Sequence, residues 1–162
     1  MYSTTIFKQR SLDIIESVAE ERDLNAYGNY KPFFLYLSLQ APHAPLQARA
    51  EILATIPQTS NPARDIYKAM IKDVDLALGE IVTSLRDRGL DNDTLLVVTS
   101  DNGGAISHGA SNFPLRGTKG TLFEGVDAQP RATAAIDEPR ELPSSSLVSA
   151  TWSSVRIAWK RW

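Results

Sequence analysis

Two short stretches of this chain carry side chains that could do chemistry. Asp101 and Asn102 stand directly before two glycines, and a carboxylate beside an amide oxygen is the kind of hard ligand pair that Ca²⁺ or Mg²⁺ takes. His43 lies between Pro42 and Pro45, whose rings hold the backbone in an extended loop. Taken alone, residues 101–104 favour a simple turn, and a lone histidine is usually a surface residue. The chemistry therefore depends on what brings the two stretches together.

Each stretch follows an apolar run that predicts a β-strand. Residues 94–100 are rich in Val and Leu, which predicts a strand buried on both faces, as in a parallel sheet flanked by helices. Residues 33–39 are aromatic and aliphatic and predict a second buried strand. Ligands bind outside the carboxyl ends of strands in open α/β sheets. We therefore expect parallel neighbours or near-neighbours that deliver His43 and Asp101 to one edge.

Two helices are predicted around these strands. Ser3 is a plausible N-cap for a helix that runs to about Glu21. The longer helix begins with a cap at Asn61 and a proline at its first position, and it runs to about residue 88 before Gly89. Its apolar residues recur at steps of three and four, whereas Asp73 and Asp75 are expected on solvated or flanking faces. These apolar residues are Ile66, Met70, Val74, Ala77, Leu78, Ile81, Val82 and Leu85.

A longer ordered motif adds a family resemblance. Residues 101–104, residues 112–117, Lys119 and residues 122–125 together resemble the sulfatase family over residues 1–125. The likeness is greatest to the arylsulfatase B type, which removes sulfate from N-acetylgalactosamine residues of glycosaminoglycans. The resemblance implies part of an α/β sandwich related to alkaline phosphatase, with mostly parallel strands and flanking helices.

The same resemblance implies roles for four residues. Asp101 and Asn102 would be two ligands of a Ca²⁺ ion, while His43 and Lys119 would contact the sulfate group. A sulfate ester is negatively charged, so cationic and hydrogen-bonding groups of this kind suit its cleavage. The implied partner is a sulfated small molecule or a glycosaminoglycan.

The residues that the resemblance requires but the chain lacks are equally informative. The family's nucleophile is a formylglycine made from Cys or Ser in a Cys/Ser-x-Pro-x-Arg motif, and this chain contains no cysteine. Residues 60–64 spell the serine form, but they lie downstream of His43, whereas the family places that motif upstream. The helix cap explains Asn61 and Pro62 fully, so we interpret the match as chance. The isolated chain is therefore expected to be inactive.

Composition limits the remaining possibilities. The 162 residues are 43% hydrophobic and 22% charged with a net charge of −2, which is ordinary for one globular domain and gives no support for nucleic-acid or membrane binding. No signal peptide precedes the first helix. An Asn-x-Thr glycosylation sequon at Asn92 suits a lysosomal or secreted parent protein. Oligomeric state stays open.

The final stretch, residues 126–162, departs from the resemblance. It is rich in Ala, Ser, Pro and Arg without clear periodicity, and we expect an unstructured tail there. The chain thus resembles a fragment of a sulfuric ester hydrolase. Two alternatives remain: a related phosphohydrolase, which commonly needs more Asp and His ligands, and a non-catalytic truncated isoform that acts as an interaction protein.

Overall fold

The computed structural model describes residues 2–23, 32–92, 94–123, 132–135 and 155–161. The described residues form three α-helices, four strands and a short 3₁₀ turn at Ile106–His108. In order, the elements are α1 (Ser3–Asp23), β1 (Phe34–Leu39), α2 (Ala50–Leu53), α3 (Pro62–Asp87), β2 (Thr94–Ser100), β3 (Ala132–Ala135) and β4 (Val155–Arg161).

The four described strands form one sheet in the order β1-β4-β2-β3. Each hydrogen-bonded pair is antiparallel. Because β1 and β2 both run against β4, they run parallel to each other with one strand between them. The α/β class and the parallel, near-neighbouring arrangement of β1 and β2 are confirmed. The pairing differs from the mostly parallel one that we expected, since β4 lies between the two strands and reverses the direction.

Two of the four strands, β3 and β4, come from residues that we expected to lack structure. Within residues 126–162, the described segments Ala132–Ala135 and Val155–Arg161 are strands, and the second is bonded along both sides. Residues 155–161 alternate β-branched, aromatic and basic side chains, and the short length of this run concealed the pattern in the sequence. The expectation of an unstructured tail is therefore wrong for these two segments. The rest of that range lies outside the described residues, and a domain boundary near residue 125 stays a prediction.

Helix α3 is the central element of the core. Its predicted bounds hold, and the apolar stripe is buried against β1, β2 and α1, with Ile81 and Leu85 fully enclosed. The Asn61 side chain accepts from the Arg64 N–H at 3.1 Å, which confirms the cap. At the other end, the Gly89 and Leu90 N–H groups bond back to the Arg86 and Leu85 carbonyls, both at 2.9 Å. This is the Schellman arrangement, and it uses a positive φ of 60° at Gly89.

Helix α1 lies alongside α3. Its first helical residue is Ser3, so Ser3 is not the N-cap that we expected; the Ile6 N–H bonds to the carbonyl of Tyr2 instead. The buried face carries Ile15 together with the small polar residues Thr4 and Ser11, which let the helix pack closely. Two ion pairs join the helices, Lys8–Glu80 at 2.6 Å and Glu16–Arg88 at 3.3 Å. From the first pair to the second, the position moves eight residues towards the C-terminus on both sides. The two helices therefore run in the same direction.

The sheet is covered unevenly. In β1, Leu37 and Leu39 face the core, whereas Phe34 and Tyr36 on the other face are 68% and 50% exposed. In β2 the residues alternate between buried and half-buried. Burial on both faces, as the apolar runs predicted, is therefore wrong for β1, because the described helices pack on one face only. None of the described helices is long and apolar enough to cross a membrane.

Candidate functional site

The ends of β1 and β2 define one edge of the sheet. Leu39 at the end of β1 and Ser100 at the end of β2 both pair with Val155 of the intervening strand. The two strands therefore finish at the same level, about 10 Å apart, which is twice the usual interstrand spacing. The loop of residues 40–49 starts from one end and the loop of residues 101–123 from the other. We refer to them as the first and second rim loops.

His43 is an exposed residue of the first rim loop. Its N–H bonds to the Gln40 carbonyl at 2.9 Å, and its ring Nδ1 lies 2.7 Å from the Ala44 carbonyl oxygen. Because a carbonyl can only accept, Nδ1 must carry the proton and donate. The other ring nitrogen, Nε2, is then the atom that can meet a ligand. His43 lines a cleft of about 550 Å³ together with Tyr2, Gln40 and Gln47.

Asp101 and Asn102 begin the second rim loop directly after β2. Asp101 is exposed, and Asn102 is half-buried. The Ser100 hydroxyl donates to the Asn102 carbonyl at 2.8 Å, which fixes the backbone at this point. The Asn102 side-chain oxygen Oδ1 is buried and accepts no hydrogen bond. A buried acceptor of this kind normally has a partner, so its position fits a ligand that supplies positive charge.

Lys119 returns to the start of the second rim loop. Its main-chain N–H donates to the Gly104 carbonyl at 3.2 Å, and its side chain is exposed. Gly104 is only two residues beyond Asn102. Lys119 and the Asp101–Asn102 pair are thus neighbours along the folded loop, although 17 positions separate Asn102 from Lys119 in the sequence. A shared contact of His43 and Lys119 with one anion stays a prediction.

An ion pair that the sequence did not indicate anchors the first rim loop. The Arg49 guanidinium donates to both carboxylate oxygens of Asp73, at 3.3 and 2.5 Å, and Asp73 is only 4% exposed. The expectation that Asp73 lies on a solvated or flanking face is wrong, because Arg49 neutralises the carboxylate where it meets the core. The bonds to Asp73 raise the pKa of Arg49, so its charge is secure. A helical position alone could not reveal a partner 24 residues away.

The second rim loop rests on the first turn of α3. The Arg64 guanidinium donates to the Gly109 carbonyl at 2.7 Å. Gly109 has a φ of 82°, and a Cβ there would lie 2.7 Å from the Ala63 carbonyl carbon and from the Arg64 nitrogen. The first turn of α3 therefore supports the second rim loop directly. Arg64, the last residue of the Ser-x-Pro-x-Arg match, is occupied in holding the loop.

The described residues offer few side chains that could bind a metal ion together. Among residues 2–23, 32–92, 94–123 and the two short strands, no three His, Cys, Asp or Glu side chains are grouped as a metal site would need. Glu124 and Gly125, which complete the motif that suggested the resemblance, lie outside the described residues. Any metal near Asp101 and Asn102 would therefore depend on further oxygens from other sources.

Comparisons with known proteins show what the chain is similar to. A family model described as Sulfatase matches residues 1–130. The chain is 36% identical to arylsulfatase J of Mus musculus over 125 residues, which make up 77% of this chain and 19% of that protein. It is 33% identical to N-acetylgalactosamine-6-sulfatase of Homo sapiens over 131 residues, 78% of this chain and 22% of that protein. The chain thus spans about a fifth of the length of the curated relatives that it matches.

A solved structure extends the likeness to three dimensions. The crystal structure of Ps i-CgsB in complex with k-i-k-neocarrahexaose superposes with a TM-score of 0.70 at 29% sequence identity. The match covers 99% of this chain and 28% of that one. The family match over residues 1–130 and the identity to named sulfatases show that this chain belongs to the sulfatase family.

Proposed function

We propose that this chain is part of a sulfuric ester hydrolase of the arylsulfatase B type and contributes sulfate-binding and calcium-binding residues. The observation that carries the proposal is the common edge at which parallel β1 and β2 end. The loops that carry His43 on one side and Asp101, Asn102 and Lys119 on the other both start there. Family membership supports the reaction class, and the common edge supports the proposed location of the site.

His43 and Lys119 suit the recognition of a sulfate group. With Nδ1 engaged by the Ala44 carbonyl, a protonated His43 can donate from Nε2 to a sulfate oxygen. The Lys119 ammonium provides a second donor and a full positive charge. Cleavage of the ester S–O bond builds negative charge on the leaving oxygen, and the proposed role of the exposed His43 is to supply a proton to that oxygen.

Asp101 and Asn102 would hold the calcium ion that the family implies. The buried, unpartnered Oδ1 of Asn102 fits this role, since a cation would satisfy it. When bound, the ion would supply positive charge that polarises sulfate oxygens. Calcium takes six to eight oxygens, so two side chains support only weak binding, on the order of millimolar or weaker.

The substrate class follows from the relatives and the resemblance. One relative is named for N-acetylgalactosamine 6-sulfate cleavage, and a solved neighbour binds an oligosaccharide. We therefore propose a sulfated sugar of the glycosaminoglycan type, with N-acetylgalactosamine 4-sulfate favoured by the arylsulfatase B likeness. Tighter binding of the 6-sulfate than of the 4-sulfate would revise the arylsulfatase B assignment and keep the sugar class.

We also propose that the full-length parent protein is lysosomal or secreted. Asn92 of the sequon is exposed on the turn before β2, where a glycan would point to solvent. Expression in a secretory pathway followed by peptide mass analysis would detect a glycan on Asn92. Its absence there would leave the sequon as a chance match.

Ion binding tests the site. Calorimetric titration of the 162-residue chain with sodium sulfate and, separately, with CaCl₂ is expected to show weak, saturable binding of both. Lys119→Ala is expected to weaken sulfate binding by about tenfold, the loss of one charge-assisted hydrogen bond, and Asp101→Ala to abolish calcium binding. Lys72→Ala on α3 is the matched control. Equal losses in Lys119→Ala and Lys72→Ala would contradict the proposed sulfate contact.

Measurement of aryl sulfate hydrolysis tests whether the isolated chain is inactive. We expect the isolated chain to hydrolyse an aryl sulfate no faster than the protein-free solution, because covalent catalysis needs a nucleophile that the chain lacks. Ser60 is part of the approach to the α3 cap and is not expected to substitute. Turnover that persists in Ser60→Ala and disappears in Lys119→Ala would overturn the expected inactivity.

A further inference from the structure

Asn112 is a buried residue of the second rim loop whose side chain is completely occupied by main-chain groups. It is 3% exposed. Its Oδ1 accepts from the Gly104 N–H at 2.9 Å, and its Nδ2 donates to the Gly104 carbonyl at 3.0 Å and to the Gly117 carbonyl at 2.9 Å. The amide has one orientation only, since a flip would set oxygen against two carbonyls and N–H against N–H. The side chain therefore acts as a rigid three-point brace.

The Gly104 carbonyl is the point at which the loop converges. It accepts from the Asn112 Nδ2, from the Thr118 hydroxyl at 3.1 Å and from the Lys119 N–H at 3.2 Å. The residue before it is also glycine, so this backbone has no side chain to restrict its conformation. Bonds on both its N–H and its carbonyl replace that restriction. They fix the direction of the chain immediately after Asn102.

The second contact of Asn112 fixes the returning segment. Gly117 has a φ of 105°, and a Cβ there would lie 2.7 Å from the Cβ of Phe123, so the chain turns tightly at this point. Asn112 thus touches the main chain two residues beyond Asn102 and two residues before Lys119. One side chain spans the two segments that carry the proposed metal and sulfate groups.

We infer that Asn112 is a positioning residue that sets Lys119 relative to the Asp101–Asn102 pair. The role rests on the proposed function for its ligands, and on the contacts of Asn112 for its geometry. A displacement of Gly104 moves the metal ligands and the lysine at once, because both are attached to it. Loss of Asn112 should therefore weaken calcium and sulfate binding together, whereas loss of Lys119 or Asp101 weakens mainly one.

The test combines amide hydrogen exchange by NMR with the two ion titrations, on the full 162-residue chain. Asn112→Asp has the same shape but replaces two donated bonds by repulsion between oxygens. We expect the Lys119 and Gly104 amides to exchange at least about tenfold faster, while the amides of Leu78 and Ile81 in α3 keep their rates. Sulfate and calcium affinities should fall by similar factors. Ser111→Ala, which removes only a 3.4 Å bond from the Phe113 N–H, is the matched control.

Several outcomes would overturn the role of Asn112. Unchanged Lys119 exchange in an Asn112→Asp protein whose α3 amides keep their protection would do so, as would an equal increase of Lys119 exchange in the Ser111→Ala control. If Asn112→Asp does not fold, Thr118→Val tests the same Gly104 anchor. It removes one of the three Gly104 donors, together with the acceptor of the Ile106 N–H, and should raise Lys119 exchange by a smaller factor. Unchanged Lys119 exchange in Thr118→Val would then overturn the role. A wild-type chain that binds neither ion would refute the proposed function, and the exchange rates would still decide the positioning role.

Discussion

The two rim loops reach the same sheet edge but are anchored to α3 by different forces. The first loop is held at its far end by charge, through the Arg49–Asp73 pair. The second loop is held by close backbone contact at Gly109 and by the hydrogen bonds that converge on Gly104. His43 lies on an exposed part of this loop, held locally by its N–H bond to the Gln40 carbonyl. A dense network holds the residues near Asp101 and Lys119 in one arrangement.

The largest effect on stability is expected at Gly109, where the second rim loop contacts the main chain of α3. Gly109→Ala adds the strain of a left-handed residue to a Cβ only 2.7 Å from the α3 main chain, and should lower the free energy of unfolding by about 3 kcal/mol. Urea unfolding measures this change in the free energy of unfolding. Gly120 has a φ of 86° and open space around it, so Gly120→Ala isolates the strain and should cost about 1 kcal/mol.

Gly79 provides the reference for these glycine-to-alanine substitutions. Gly79 lies in α3 with nothing within 4 Å of an added Cβ, so Gly79→Ala should stabilise the protein by about 0.5–1 kcal/mol. If Gly109→Ala proves no more harmful than Gly120→Ala, the second loop does not rest on α3 as closely as described.

The ionic anchor of the first loop should have the next largest effect. Arg49→Met leaves the buried Asp73 carboxylate without its partner, and we expect a loss of about 2 kcal/mol, below the usual range for fully buried pairs because Arg49 is partly exposed. Glu51→Ala removes the other, exposed partner of Arg49 and should change the stability by less than about 0.5 kcal/mol. Equal effects of both substitutions in urea unfolding would show that the Asp73 bond does not anchor the loop.

The start of α3, on which the second loop rests, offers a smaller test. Asn61→Ala removes the cap that accepts from the Arg64 N–H and should cost about 1 kcal/mol. Asn92→Ala, at an exposed turn, should leave the stability nearly unchanged. An Asn61→Ala protein as stable as Asn92→Ala would mean that the Arg64–Gly109 contact fixes this turn without the cap.

The smallest expected effects depend on pH. The Thr59 backbone N–H and hydroxyl, both at 2.8 Å, lower the pKa of Asp65 below its ordinary value. Its stabilising contribution is therefore present above the unfolded pKa and is lost as the pH falls through the folded pKa. Asp65→Asn should destabilise the chain at pH 7, and the difference from wild type should shrink during acid titration.

Asp75 should behave in the opposite way. Burial raises its pKa, so its unfavourable contribution is present above the folded pKa and disappears below the unfolded one. Asp75→Asn should slightly stabilise the chain at pH 7 and have no effect in acid. Matching pH profiles for the two substitutions in denaturant unfolding would contradict the assigned shifts.

The local parts of this fold could be predicted from sequence because their causes are local. The cap at Asn61, the stop at Gly89 and the apolar stripe of α3 each depend on residues within one or two helical turns. The same holds for the apolar runs that became β1 and β2, although their one-sided burial depends on which face the helices cover. The order of strand and polar loop also identified the sheet edge, since parallel strands end together.

Contacts between distant residues could not be predicted in this way. Asp73 in α3 shows nothing in sequence that points to Arg49, and Asn112 is one polar residue among several in a glycine-rich loop. The insertion of β4 between β1 and β2 depends on pairing across more than 50 residues, which no periodicity within the strand specifies. The sequence by itself determined the helices, the strand ends and the residue types at the edge, because these follow from short-range propensity and pattern. Only the tertiary structure decided which carbonyls, carboxylates and glycines hold that edge together, because those choices depend on which surfaces meet when the core closes.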